Sequence, residues 1–329
     1  HALFKNLLFL GAGILHHQTH ELNIDMMGGL IKKMPQTSLL FLIGCMSISS
    51  LPLFNGFVSE WLAFQAALQV DVLDNGVLRS LIPVAAAALA LTAALAAACF
   101  VKVFGLIFLG QSRSHHSEKA HEVTDKSMLM GPALLAALCF LFGIFPGLVI
   151  HLINSVSAQL LGQTMPNDSA LGWLWLAPVS AEQASYSPPL VLVGALLAGC
   201  ATFWYLRRNQ ETKTMRRAAT WDCGFGGVTS RMQYSSGAFT MPLRRIFAHI
   251  WLIDERIDKT MQGAMDQDVA VVHYHLHIKD HTWPRLYQPI ERGVNALAKR
   301  VGRIQTGNIR TYLGYSFVTL LLMLWVVSQ

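Results

Sequence analysis

Apolar residues run in long blocks along this chain, and short polar stretches separate them. About 20 apolar residues at 1.5 Å rise cover a ~30 Å hydrocarbon core, so blocks of this length predict helices that cross a bilayer. The pattern predicts six spans, near 1–15, 37–70, 81–109, 127–153, 190–206 and 312–327. The second is too long for one simple helix and holds Pro52, Asn55 and Gly56 in its interior. Proline removes a backbone donor and clashes with the preceding turn, and glycine relaxes the backbone further. Two half-helices joined by an unwound turn are expected there. Non-helical backbone at membrane depth is tolerated only inside protein or beside water. Glu60 follows among apolar residues, where a carboxylate is expensive and argues for a polar path. Ion transporters place such broken helices at the midplane. A proline-kinked helix whose acid pairs with a basic neighbour is the structural alternative.

Between the fifth and sixth spans the period changes. Leu243, Phe247, Ile250 and Ile257 form one helical stripe, and Ile290, Val294, Leu297, Val301 and Ile304 form another. Arg292, Lys299, Arg300 and Arg303 occupy the opposite face of the second, as in a helix lying on a membrane surface or a partner subunit. Gly302, Pro284 and Pro289 interrupt any single long helix. His273, His275 and His277 alternate as on a short strand, with His281 beyond. Metal binding and a solvated or partner-facing surface both fit this cluster. His16 and His20 have the i, i+4 spacing of helical metal ligands, although a polar loop at headgroup level accounts for them more simply. The expected fold class is an all-α polytopic membrane protein with about six transmembrane helices, one broken, plus a cytoplasmic amphipathic helical segment. The expected divisions are a membrane domain over 1–206, an amphipathic or lateral segment over 207–309, and a final span over 310–329.

Composition agrees with the pattern. The chain is 53% hydrophobic and 13% charged, about half the ~25% charge of soluble domains. Of its 25 Lys and Arg, 17 lie between Arg207 and Arg310, and none lies between His151 and Tyr186. Such asymmetry orients membrane spans, with basic loops inside, and argues against nucleic-acid binding. It predicts a multi-pass protein of the inner (plasma) membrane with 207–309 cytoplasmic. The sequence starts at His1, and residues 1–15 read as the later part of a membrane helix, so further chain is expected to precede it. Cys45, Cys99, Cys139, Cys200 and Cys223 are scattered without metal-ligand spacing. No cofactor and no metal are expected.

Lys5, Glu60 and Lys102 fall on three successive spans. Each buried charge costs ~2.5–3.5 kcal/mol even on the lenient insertion scale, so three are unexpected without a role. Mutual pairing would lower that cost and couple their titrations. A proton relay follows as the functional hypothesis, and a buried ion-pair network fixing helix register as the structural one.

Residues His1-Ala2-Leu3-Phe4-Lys5, Leu8-Phe9-Leu10-Gly11-Ala12-Gly13, Met27-Gly28-Gly29-Leu30 and Leu51-Pro52-Leu53-Phe54-Asn55-Gly56-Phe57-Val58-Ser59-Glu60 resemble the antiporter-like membrane subunits of complex I and Mrp-type antiporters. Glu60, Trp221-Asp222-Cys223-Gly224 and Arg231-Met232-Gln233-Tyr234 are most similar to the hydrogenase-4 component B and formate hydrogenlyase subunit 3 group, with this chain as the C-terminal half. The resemblance implies inverted repeats of five helices, each with a broken helix. It places His1 and Lys5 on a hydrated axis, Glu60 beside the second broken helix, and Lys102, by a weaker correspondence, further along. It implies a non-redox, proton- or Na⁺-translocating subunit of a membrane-bound hydrogenase or complex I-like oxidoreductase, with other membrane and peripheral subunits and the lipid bilayer as partners. An Mrp-type antiporter subunit and a structural membrane anchor remain as alternatives.

Overall fold

The computed structural model describes residues 1–162, 175–176, 186–208, 218, 221–248 and 282–328, together with the backbone of 253–262 and 269–278. These form two compact units, His1–Phe239 and Thr240–Gln329.

In the first unit, α1 (Ala2–Thr19) packs against α2 (Pro35–Ile48). The break expected inside the second span is present. α2 ends at Ile48 and α3 starts at Asn55, running to Leu68. Then come α4 (Gly76–Phe108), the short α5 (His115–Lys119), α6 (Ser127–Ile144), α7 (Pro146–Leu161), α8 (Pro188–Arg208) and the short α9 (Ser236–Phe239). α6 packs on α1, α2 and α3, while α4 packs on α2 and α3. α4, α6, α8 and the last helix of the chain are long and apolar enough to cross a membrane.

Boundaries depart from the sequence expectation in interpretable ways. α1 continues through His16 and His17 to Thr19, and His20 closes it in the left-handed conformation. α4 starts at Gly76, five residues before the expected start, because the Asn75 side chain accepts from the Val77 and Leu78 amides and caps it. The span expected over 127–153 is divided at Phe145, where Pro146 opens α7 as its first residue.

Small residues set the helix contacts. A Cβ on Gly11 would lie 2.7 Å from the Phe41 ring, and one on Gly44 would lie 2.9 Å from Leu8. Gly11 is therefore a packing residue, whereas Gly13 faces open space. Phe41, Phe108, Leu30 and Met34 form the buried centre between α1, α2 and α4, with the Phe41 and Phe108 rings 5.4 Å apart. α2 is held at its start by a carboxylate. Glu122 accepts from the Gln36 and Thr37 amides and the Thr37 hydroxyl, which suits negative charge at a helix N-terminus.

The second unit contains α10 (Met241–Ile246), an antiparallel hairpin of β1 (Ile253–Gln262) and β2 (Val269–Ile278), then α11 (Gln288–Gly302) and α12 (Ile309–Val327). The hairpin corrects the expected helical stripe from Leu243, because Ile257 lies on β1 and not on a helix. β2 does carry His273, His275 and His277, as the alternation predicts, and its register sets them opposite Asp258, Arg256 and Asp254. His281 lies outside the described residues. The stripe Ile290, Val294, Leu297 and Val301 lies on α11 and is exposed, and Ile304 just beyond the helix is exposed as well. The Tyr312 hydroxyl accepts from the Gly307 amide and the Tyr315 hydroxyl donates to the Ile304 carbonyl, fixing the corner into α12.

Candidate functional site

The break between α2 and α3 is built from backbone that ordinary residues avoid. Ser50 and Leu53 both take positive φ, 52° and 77°. L-residues populate that region sparsely, so the surroundings must hold it. Three contacts do so. The Ser47 hydroxyl donates to the Asn55 side-chain oxygen across the gap. Gly56 lies so close to α2 that a Cβ there would sit 1.9 Å from the Ser47 carbonyl oxygen. On the other side, a Cβ on Gly143 of α6 would lie 2.2 Å from the Leu53 carbonyl oxygen. Pro52 occupies the unwound turn, outside both helices, where its missing N–H costs nothing. The three residues that predict the break thus have separate tasks, and Gly143 is a fourth that no local pattern exposes.

Glu60 lies one turn into α3, half-buried. Ser59 beside it donates back to the Gly56 carbonyl and is satisfied within the helix. Lys102 is half-buried on α4, the helix against which α3 packs. It lines a cavity of about 330 Å³ with Val101, Leu106, Leu109, Arg113, Gln233 and Tyr234. His1 and Lys5 lie on an exposed face of α1, with the Lys5 ammonium 5.8 Å from the Phe9 ring centre and the His1 ring edge-on to Phe4. Among the described residues the ion pairs are Arg113–Asp25 and His115–Glu118, so no direct pair joins Lys5, Glu60 and Lys102. The structure brings the helices of Glu60 and Lys102 together, and it sets Lys5 on a helix that packs on α2 and α6 instead.

A polar clasp closes the unit beside the Lys102 cavity. The Gln233 carboxamide accepts from the Gln111 amide at 2.7 Å and donates to the Gln111 carbonyl at 3.1 Å. Arg113 donates to the Tyr234 carbonyl at 2.8 Å and lies 3.8 Å from Asp25. Asp25 in turn accepts from the Ser236 amide at 2.7 Å and from its hydroxyl. Three glycines make room. A Cβ on Gly110 would meet Gln233 at 2.0 Å, one on Gly28 would meet the Gln111 carbonyl at 2.3 Å, and Gly29 takes φ 68°. The Met27-Gly28-Gly29-Leu30 and Arg231-Met232-Gln233-Tyr234 stretches therefore meet in space across more than 200 residues of sequence.

The Trp221–Gly227 loop is organised by its acid. Asp222 accepts from the Gly224 amide at 3.0 Å and the Gly227 amide at 2.7 Å. These donors favour the carboxylate and hold its pKa below the ordinary 3.8. The folded-state value is depressed, so the contribution to loop order is complete above the ordinary value and is lost as pH falls through the depressed one. Amide exchange at Gly224 and Gly227 should therefore stay protected at neutral pH and lose protection in acid, and Asp222→Ala should remove the protection at neutral pH.

The histidines give no metal centre among the described residues, where no group of three or more metal-ligating side chains is found. His16, His20 and His116 stand edge to edge with ring centres 6.5 Å apart.

The described residues thus combine helices long and apolar enough to cross a membrane with a broken helix, an adjacent half-buried acid and a lysine-lined cavity. Comparison with known proteins gives the class. Residues 1–83 match the transmembrane family of NADH:quinone oxidoreductase and Mrp antiporters. The whole chain is 32% identical to hydrogenase-4 component B of Escherichia coli K12, covering 48% of that protein. It is 32% identical to formate hydrogenlyase subunit 3 of the same organism over 76% of this chain and 38% of the relative. Over 72% of its length it is 31% identical to Na(+)/H(+) antiporter subunit A1 of Staphylococcus saprophyticus, covering 29% of that protein. A chain of the archaeal membrane-bound sulfane sulfur reductase shares the fold, with TM-score 0.57 and 22% identity over 98% of this chain and 46% of the other. The chain thus resembles antiporter-like membrane subunits of the complex I and Mrp superfamily, with hydrogenase-4 component B and formate hydrogenlyase subunit 3 among them. It spans about half the length of the curated relatives it matches.

Proposed function

We propose that this chain is part of a proton- or Na⁺-translocating membrane subunit of a hydrogenase or formate hydrogenlyase type complex. Redox chemistry belongs to partner subunits, and this subunit moves the ion. The observation that carries the reading is the break itself: two half-helices joined by an unwound turn that Ser47–Asn55, Gly56 and Gly143 hold in place, with Glu60 one turn beyond. Unwound backbone of this kind is tolerated at membrane depth only inside protein or beside water.

In this reading Glu60 and Lys102, on adjoining helices, exchange charge through water and not through a direct pair. Lys102 opens to the polar clasp through its cavity. Lys5 and His1 face outward on α1, and a lysine on a lipid-facing helix would cost ~2.5–3.5 kcal/mol. We therefore place that face against protein or water, as the hydrated axis. Six spans, with the broken pair counted as one, put 1–206 in the membrane, 207–309 on the cytoplasmic side and 310–329 back across it. The likeness to an antiporter subunit over 72% of the chain favours a second reading, cation/proton exchange without electron transfer.

Sealed vesicles containing the complete parent complex separate the two. The expected result is an ion gradient that builds only while an electron donor is oxidised. Equal cation/proton exchange by the subunit without its redox partners would favour the antiporter instead.

A further inference from the structure

Tyr186 and Ser187 sit immediately before α8 and close over the break. The Tyr186 ring lies 5.1 Å from Phe57 and 5.6 Å from Trp61, centre to centre. Phe57 and Trp61 are one turn apart on α3, and Glu60 is the residue before Trp61, on the flank of the same surface. The backbone of Tyr186 is fully engaged, since it exchanges two hydrogen bonds with Leu176 at 2.8 and 3.0 Å. Its hydroxyl faces the Leu53 backbone at the break. Among the described residues, the Tyr186 and Ser187 hydroxyl oxygens are buried and neither completes a hydrogen bond.

The Ser187 case is the more informative. Serine before a helix normally accepts from the amides of the second or third helical residue. Here Pro188 and Pro189 follow, and the second position has no N–H to offer. Ser187 is 5% exposed and its oxygen remains unused. A buried hydroxyl without a partner costs about 1–3 kcal/mol. A polar site with several donors and acceptors is where buried water is stable.

We propose that Tyr186 and Ser187 line a hydrated pocket beside Glu60 and carry the ion path past the break. They are positioning residues that hold water against Glu60, and the inference rests on the reading of Glu60 as an ion carrier. The aromatic pair Phe57 and Trp61 supplies a dry wall, so water is confined to the side bearing the hydroxyls.

The test is Tyr186→Phe with Ser187→Ala in the complete complex, in sealed vesicles, beside Glu60→Gln. Phenylalanine keeps the ring contacts, and alanine keeps the helix start. Expected are normal assembly, ion uptake reduced several-fold, and a displaced pH profile of uptake, which loss of packing alone would not produce. Unchanged uptake and an unchanged pH profile, while Glu60→Gln abolishes uptake, would overturn the pocket and leave Glu60 standing. If all variants, Glu60→Gln included, transport normally, the pocket falls together with the reading it rests on. Should the double variant fail to assemble, Tyr186→Phe alone carries the same readouts.

Discussion

Gly56→Ala should destabilise the protein by forcing the two half-helices apart. The new Cβ would lie 1.9 Å from the Ser47 carbonyl oxygen and 3.0 Å from its carbonyl carbon. Both atoms are backbone, so no side chain can swing aside. α2 and α3 must separate, and the Ser47–Asn55 hydrogen bond opens with them. Overpacking of this kind typically costs about 1–3 kcal/mol, occasionally more. The expected outcome is a clearly lower melting temperature and yield of the solubilised complex. Gly13→Ala is the matched control, because a Cβ there meets nothing within 4 Å and alanine favours helix. If the two variants melt alike, the break is not held by close backbone contact, and the account of why it persists fails.

The break was legible because its causes are local. Pro52, Asn55 and Gly56 lie within five residues, and each disfavours helix for a reason visible in the residue itself. What pins the break was not legible. Gly143 lies on another span, and nothing near it in sequence announces the Leu53 carbonyl it must admit. The clasp shows the same limit. Gly28 and Gln233 stand in stretches that carry the resemblance and Gly110 reads as a loop residue, but their common task appears only when residues 122 apart exchange hydrogen bonds.

The hairpin was half legible. β2 alternates His with apolar or aromatic residues and reads as a strand, whereas β1 is dominated by Asp, Glu, Arg and Lys without clean alternation. Ile257 therefore joins a helical stripe by spacing while the chain pairs it with Tyr274. The charges were legible as residues out of place in apolar spans. Their grouping was not, because depth along a helix says nothing of which face a residue occupies. Lys5 faces outward, and Glu60 and Lys102 lie on helices that touch. Tyr186 and Ser187 gave no signal at all, since an unpartnered hydroxyl is a property of the folded surroundings.

The central claim is that the acid beside the break carries the ion, and Glu60→Gln tests it directly. Glutamine keeps the size and polarity of the side chain and removes its ability to hold a negative charge or a transferable proton. The half-buried position and the stability of the break do not depend on that charge, since no ion pair to Glu60 is present among the described residues. Assembly should therefore survive. In sealed vesicles of the complete complex, electron transfer and ion uptake are followed together. The account predicts that uptake falls by at least about tenfold, equivalent to ~1.4 kcal/mol in the barrier, while electron transfer continues or slows. Normal uptake in an assembled Glu60→Gln complex would contradict it.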